Sequence, residues 1–392
     1  MTENRCEIDL NSYQRKEMAF LSCLAPYIRN HVEVVMRHPN FGLSQKSITF
    51  MNPKPSCSTD HENSQCDRFK ISIPYAGVSV ECLVIFQSSA PHCPPDFLFS
   101  DCSFIIPLEN IKSLCDWNYE NPDGLLLVVK ELMYFYKEIQ IAQLENYADL
   151  YIEYLNLIQL PNMSEDDIEV FVSYNKNNPI TFLIKLHVEL ANILPNVFLG
   201  NVEEETILLL VTFPLRNISR STQRLYFSAN ISNAFELSPE FHLPPLLSTF
   251  SFKEYIPALE DALKKNAELV ASAYEKRKEC VSVLLSHFEN CLIEYDVLLY
   301  MKLTLLLELK GFHFLLEIDF PRNFPIGVPE LIFRSVYHTY SGAPTSVSID
   351  SCSYSPNWSS HELLEEIVKF IHKYALLFQQ DSAPFACKDP KG

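Results

Sequence analysis

Apolar side chains recur at strand spacing in a figure that the chain repeats. From Arg68 to Phe99, RFKISIPYAGVSVECLVIFQSSAPHCPPDFLF reads as strand, tight turn at Ala76-Gly77, strand, proline-rich loop and short strand. KLTLLLELKGFHFLLEIDFPRNFPIGVPELIF, from Lys302 to Phe333, repeats it with Lys310-Gly311 at the turn. A weaker copy, ETILLLVTFPLRNISRSTQRLYF, spans Glu205 to Phe227. A Phe closes one strand and a second Phe ends the next in every copy: Phe86 and Phe99, Phe213 and Phe227, Phe320 and Phe333. Near-constant internal spacing predicts a domain-sized repeat.

Helical periodicity fills the intervals. It predicts a helix from Tyr13 to about Val32, with Met18, Leu21, Leu24 and Ile28 on one face, then extended pieces at Glu33–Met36 and Ser47–Met51. The polar stretch from Asn52 to Cys66 lacks periodicity and is expected to be a mobile loop. Pro122-Asp123-Gly124 introduces a helix near Leu125 that meets no Gly or Pro before Pro161; one long helix and two helices with a hidden break both fit. Strands are expected at Ile168–Tyr174, Ile180–Val188, Glu205–Phe213 and Leu225–Ser228, then a helix from Phe252 to Phe288. On it Glu275, Lys276, Arg277, Lys278 and Glu279 read as a solvated face. The last part is predicted as strands at Cys291–Tyr295, Leu298–Leu309, Phe312–Phe320 and Glu330–Val336, an irregular stretch, a helix from His361 to about Gln379 and a frayed tail. Prolines at the strand ends lack the N–H a ladder needs and release the chain to cross over. The expectation is an α+β protein of three tandem domains, 1–140, 141–265 and 266–380 with a tail at 381–392, each an antiparallel meander packed by flanking helices. Trp117 and Trp358 each precede a last helix, as rings plugging the gap beneath an irregular crossing.

Composition removes several function classes. The net charge is −18 and all three parts are acidic, which disfavours nucleic-acid backbones and anionic membranes. Eight glycines and no phosphate-cradling glycine motif argue against a nucleotide site. The longest apolar region, Val297 to Ile318, is interrupted by Lys302, Glu308 and Lys310 and does not read as a membrane span. Twelve cysteines without CxxC or zinc spacing, behind an N-terminus with no apolar leader, read as free thiols in a reducing compartment. The four Asn-x-Ser/Thr matches are then chance. No cofactor or metal is expected.

Helix, meander with Tyr75-Ala76-Gly77 at its turn, the Phe-Pro loop pattern and a Trp before a helix together resemble the ubiquitin-conjugating-enzyme fold. That family's chemistry needs a thiolate shortly before the Trp and a His-Pro-Asn whose amide steadies an oxyanion. His38-Pro39-Asn40 precedes the meander, where that tripeptide should follow it, and His338-Thr339-Tyr340 stands where it would be required. Cys352, six residues before Trp358, is the one candidate nucleophile. The chain therefore resembles the inactive variants, the UEV or RWD-like domains, in three copies.

A more specific mosaic (CDRFKISIPYAG, PPDFLF, GLLLVVKEL, YEKRKE, LLSHF, EYD, KLTLLLEL, FRSVYH, YSPNW) is similar to UEV-type scaffold subunits of two deubiquitinase assemblies, one cytoplasmic and one nuclear. This resemblance implies a noncatalytic role beside a zinc-dependent JAMM/MPN-plus subunit that cleaves lysine sixty-three-linked polyubiquitin. The other implied partners are an inactive MPN scaffold subunit and a VWA-like subunit held through its C-terminal peptide; direct contact with polyubiquitin is left open. A zinc-peptidase motif is absent: Ser286-His287-Phe288 lacks the second His and the Pro. By the same analogy the C-terminal domain receives a peptide beside its meander, with Tyr337, Tyr340, Tyr354 and Trp358 as candidate contacts; a core role for these aromatics is the competing reading. The alternatives are a conjugating enzyme using Cys352 and a free-standing UEV adaptor.

Overall fold

The computed structural model describes residues 15–38, 41–44, 46–55, 65–173, 178–199, 205–214, 221–236, 241–245, 251–340, 343–349 and 354–382. Residues 15–23 form α1, followed by α2 (Pro26–Arg37) and an antiparallel sheet of β1 (Thr49–Lys54), β2 (Arg68–Tyr75), β3 (Val78–Ile85) and β4 (Asp96–Phe99). Three helices come next: α3 (Lys112–Cys115), α4 (Gly124–Leu144) and α5 (Ala148–Ile158). A second antiparallel sheet has the order β5 (Ile168–Phe171), β6 (Ile180–Leu186), β7 (Ile207–Phe213) and β8 (Thr222–Phe227). The short α6 (Ala229–Phe235) and the long α7 (Phe252–His287) lead to a third sheet. It comprises β9 (Leu292–Tyr295), β10 (Lys302–Leu309), β11 (Phe312–Asp319), β12 (Glu330–Tyr340) and β13 (Ala343–Ile349), and α8 (Ser360–Ser382) closes the chain. The class is α+β with three separate antiparallel sheets.

The first and third meanders share their turn chemistry. Ala76 and Gly77 have φ of 45° and 79°, and Lys310 and Gly311 have 53° and 79°. Two successive positive φ values give the mirror-image two-residue turn that suits right-twisted strands. The flanking strands pair residue by residue, Tyr75 with Val78 back to Arg68 with Ile85, and Leu309 with Phe312 back to Lys302 with Asp319. Alternation then decides the cores. Phe69, Ile71, Ile73 and Tyr75 face inward with Ile28, Val32 and Val35 of α2 and Leu125, Val129 and Tyr136 of α4. In the third sheet Leu303, Leu305, Phe314, Leu316 and Phe333 pack with Leu284 of α7 and Leu363, Ile367 and Phe378 of α8. Each such side chain contributes about 1.5–3 kcal/mol on burial.

The chain divides into two compact units: residues 1–187, 206–226 and 245–257, and residues 188–205, 227–244 and 258–392. The first unit holds the first two sheets almost entirely, the second the third sheet. Leu183 and Leu208 of the second sheet belong to the same core as the first sheet. The boundary in α7 falls after Pro257.

Several local expectations need correction. The first helix is two helices, because Pro26 opens α2 and forces Ala25 out of helical geometry (φ −58°, ψ 140°). Cys66 seals the break: its N–H donates to the Cys23 carbonyl at 2.9 Å, and its own carbonyl accepts Ala25 N–H at 2.9 Å. Glu33–Met36 is helix, not an extended piece, since α2 runs through to Arg37. The span after Leu125 breaks into α4 and α5 where the Asn146 side-chain amide donates to the Gln143 carbonyl at 3.0 Å, competing with the helix ladder. β10 starts at Lys302, not Leu298. The Asp296 carboxylate accepts N–H bonds from Leu298, Leu299 and Met301 at 3.0, 3.1 and 3.2 Å, so the chain is held in a turn. β12 continues to Tyr340 and pairs with β13, in a stretch expected to be irregular. Of the expected loop from Asn52 to Cys66, residues 56–64 lie outside the described residues, as do most of the expected tail and Cys352.

Candidate functional site

The four candidate aromatics of the second unit fall at two ends of the third sheet. Tyr354 leaves the loop before α8, stacks obliquely on Phe324 at 6.0 Å and donates its hydroxyl to the Pro325 carbonyl at 2.6 Å. Half-buried Trp358 meets Tyr354 edge-on at 5.9 Å. Burial pushes the Tyr354 phenol up to about 12, so it stays a neutral donor. These two rings therefore seal the loop between β11 and β12 against the start of α8. Tyr337 lies elsewhere, 54% exposed on β12, with its ring 5.7 Å from Phe312 and its hydroxyl 3.0 Å from His313 Nδ1. Phe312 opens β11 and Phe324 lies beyond its end, so the two groups are separated by the strand's length, roughly 26 Å for eight residues. Tyr340 ends β12 opposite Ala343, and its backbone pairs there.

Trp117 occupies the place expected of it. Its ring lies 5.2 Å from His31 and 6.3 Å from Phe86, and a side chain at Gly124 would meet it at 3.1 Å. His31 is buried with Nε2 3.0 Å from the Tyr119 carbonyl, which ties α2 to the crossing before α4. Desolvation lowers its pKa below the usual histidine value, against bonds to backbone that raise it.

Two of the described thiols are shifted away from the thiolate form. Cys82 and Cys280 are buried; burial pushes the first up to about 12 and raises the second, whose sulfur lies 3.6 Å from Ser360 Oγ. A catalytic thiol needs the opposite shift, toward the thiolate. His338, which opens the tripeptide His338-Thr339-Tyr340, sits within β12 with its N–H donated to Ser335 Oγ at 3.0 Å. Among the described residues no group of three or more His, Cys, Asp or Glu side chains is arranged to hold a metal ion, and no helix is long and apolar enough to cross a membrane.

The arrangement that sequence reasoning missed lies in the first unit. Glu169 on β5 is buried, and its carboxylate accepts the Ala76 N–H at 2.7 Å and the Leu43 N–H at 2.8 Å. Thr181 on β6 donates its hydroxyl to the Ala76 carbonyl at 3.0 Å. Leu210 on β7 lies so close to Gly77 that a Cβ there would sit 2.7 Å from it. One turn of the first sheet is thus gripped by three strands of the second, through a donor, an acceptor and a close apolar approach. Desolvation raises the Glu169 pKa, opposed by the two N–H donors and by Lys137. Beside it opens a cleft of about 320 Å³ lined by Leu43, Tyr75, Lys130, Tyr134, Lys137 and Glu169. A single Glu at the start of a short strand carries no sequence signal of this role, since its partners lie 93 and 126 residues away. In the second unit, a shallower groove of about 490 Å³ runs between α7 and α8 past Ser282, Ser286, His287 and His361.

What the described features offer is surface and joint geometry. A protein from Danio rerio named BRISC and BRCA1-A complex member 2 is 32% identical over 371 residues, covering 92% of this chain and 96% of the relative. A protein of the same name from Branchiostoma floridae is 31% identical over 372 residues, covering 92% and 97%. The family model of brain and reproductive organ-expressed protein (BRE) matches residues 22–339. With most of its length matched in that way, the chain belongs to the BRE family.

Proposed function

We propose that this chain is a noncatalytic scaffold subunit of a BRISC and BRCA1-A type complex. The observation that carries the reading is the end-to-end similarity to relatives named as members of those complexes. Three separate antiparallel sheets, and two buried thiols whose pKa burial raises, support a holding role over a chemical one. The sheets represent three UEV or RWD-like copies. The scaffold bridges a JAMM/MPN-plus deubiquitinase and an inactive MPN subunit, which act on lysine sixty-three-linked polyubiquitin, to a VWA-like subunit, in cytoplasm and nucleus. Exposed Tyr337 is the candidate contact surface of the second unit, with Tyr340 at the end of the β12–β13 hairpin, while Tyr354 and Trp358 hold the loop before α8.

Affinity purification of the full chain from cells, with composition and stoichiometry of the eluate, tests this directly. Fixed-ratio recovery of a JAMM metalloprotease is the expected result; a chain that elutes alone rejects it. A parallel incubation with ubiquitin, activating enzyme and ATP should leave no reducible thioester. A thioester lost in Cys352→Ala would replace the scaffold reading with that of a conjugating enzyme.

A further inference from the structure

The two equivalent turns of the first and third sheets differ in one respect. In the first unit the Ala76-Gly77 turn is fully engaged: N–H to Glu169, carbonyl to Thr181, glycine against Leu210. At the Lys310-Gly311 turn the backbone has the same pair of positive φ values, yet a Cβ at Gly311 would meet nothing within 4 Å. Among the described residues neither the N–H nor the carbonyl of Lys310 has a hydrogen-bond partner outside its hairpin. Lys310 is exposed, and an aromatic shoulder, Tyr337 on Phe312 with His313 at its hydroxyl, stands beside the turn.

We infer that the Lys310-Gly311 turn is a docking point for a carboxylate-bearing strand of another protein, held as Glu169 holds Ala76. The chain supplies its own template for the contact. In the first unit the N–H at the turn's first central residue takes a carboxylate oxygen at 2.7 Å, and the glycine admits an aliphatic side chain that any Cβ would exclude. The third sheet keeps both backbone features and adds a cation, Lys310, where the first has Ala76. An acidic side chain reaching the Lys310 N–H would also meet its ammonium, and charge-assisted bonds of this kind are about twice as strong as neutral ones. Tyr337 then flanks the contact with an exposed ring, the residue type that anchors interfaces. A second copy of this chain is a poor occupant, because at −18 two copies repel. The partner is therefore a different polypeptide with a local Asp or Glu on an exposed strand.

The inference requires that the chain works within an assembly, so the test begins with the assembly purified from cells through a tagged full-length chain. In the assembly the Lys310 and Gly311 amides should exchange about tenfold more slowly than in the isolated chain. A water-soluble carbodiimide, which joins an amine to a touching carboxylate, should link the Lys310 side chain to an acidic peptide of another protein. Lys310→Arg should keep the assembly and lose the link. Lys310→Glu should lower recovery of the linked partner by about tenfold, with the isolated chain's melting temperature unchanged. A link to a second copy or within the chain overturns the inference. So does an assembly recovered intact in which these amides exchange as freely as in the isolated chain; that result leaves the scaffold reading standing. Failure to recover any assembly removes both.

Discussion

Glu169 shows how much a single buried side chain can decide. Its carboxylate is the acceptor for two backbone N–H groups on other segments; without it the buried Ala76 N–H would be unpaired and the part-buried Leu43 N–H would lose this acceptor. Leaving a buried donor unsatisfied costs about 1–3 kcal/mol each, partly offset here by relief of the carboxylate's own desolvation. Glu169→Ala is therefore expected to lower the unfolding free energy of the first unit by about 3 kcal/mol in urea titrations, with Lys310→Ala as an exposed control near zero. His31 makes a pH-dependent contribution of definite sign. Its folded pKa is lowered, mainly by burial. The neutral ring is thus favoured in the folded state, and its stabilisation is present above the unfolded value near 6.5 and is lost as pH falls toward the folded one. His31→Gln keeps a donor for the Tyr119 carbonyl but does not titrate. Between pH 7.5 and 5.5 the wild-type denaturation midpoint should fall further than that of His31→Gln.

At the scale of elements, the paired turns give a controlled comparison. Gly77 and Gly311 share a φ of 79°, so an alanine at either pays the left-handed backbone penalty of about 1–2 kcal/mol. Only at Gly77 does the new Cβ also run into a neighbour, Leu210. Equilibrium unfolding should show Gly77→Ala costing about twice what Gly311→Ala costs; equal losses would mean that the second sheet yields freely around the turn. The hairpin of β12 and β13 makes a related point. Ser335 accepts N–H bonds from Tyr337 and His338 through its hydroxyl, where the register shifts between Arg334 and Thr339. A polar side chain thus builds the bulge that lets a Ser- and Pro-rich edge strand pair.

For the molecule as a whole, the cores predict which pieces stand alone. Every buried residue of the third sheet's core lies between Cys280 and Phe378. A fragment of residues 258–382 should therefore fold cooperatively, seen as a single transition by circular dichroism. A fragment of residues 1–140 lacks Glu169, Leu183 and Leu208, which complete the first core and its turn. It should unfold at lower denaturant than a fragment of residues 1–257, and equal midpoints would show that the second sheet adds nothing to the first.

The meanders, their turns and the long helices were legible in the residues, because period and turn chemistry act between near neighbours. Ala76-Gly77 and Lys310-Gly311 fall at the turns, α7 runs within a residue of its expected span, and Phe86, Phe213 and Phe320 are each buried. Pro26 carried the helix break in plain view, and helical periodicity across it masked the signal. The Asp296 turn and the bulge at Ser335 replaced propensity with side-chain hydrogen bonds that no period reveals. The grip of Glu169 and Thr181 on Ala76, across 93 and 105 residues, arises only when two sheets meet. Local order is written in spacing; which surfaces are covered and which stay bare is set by packing between distant segments.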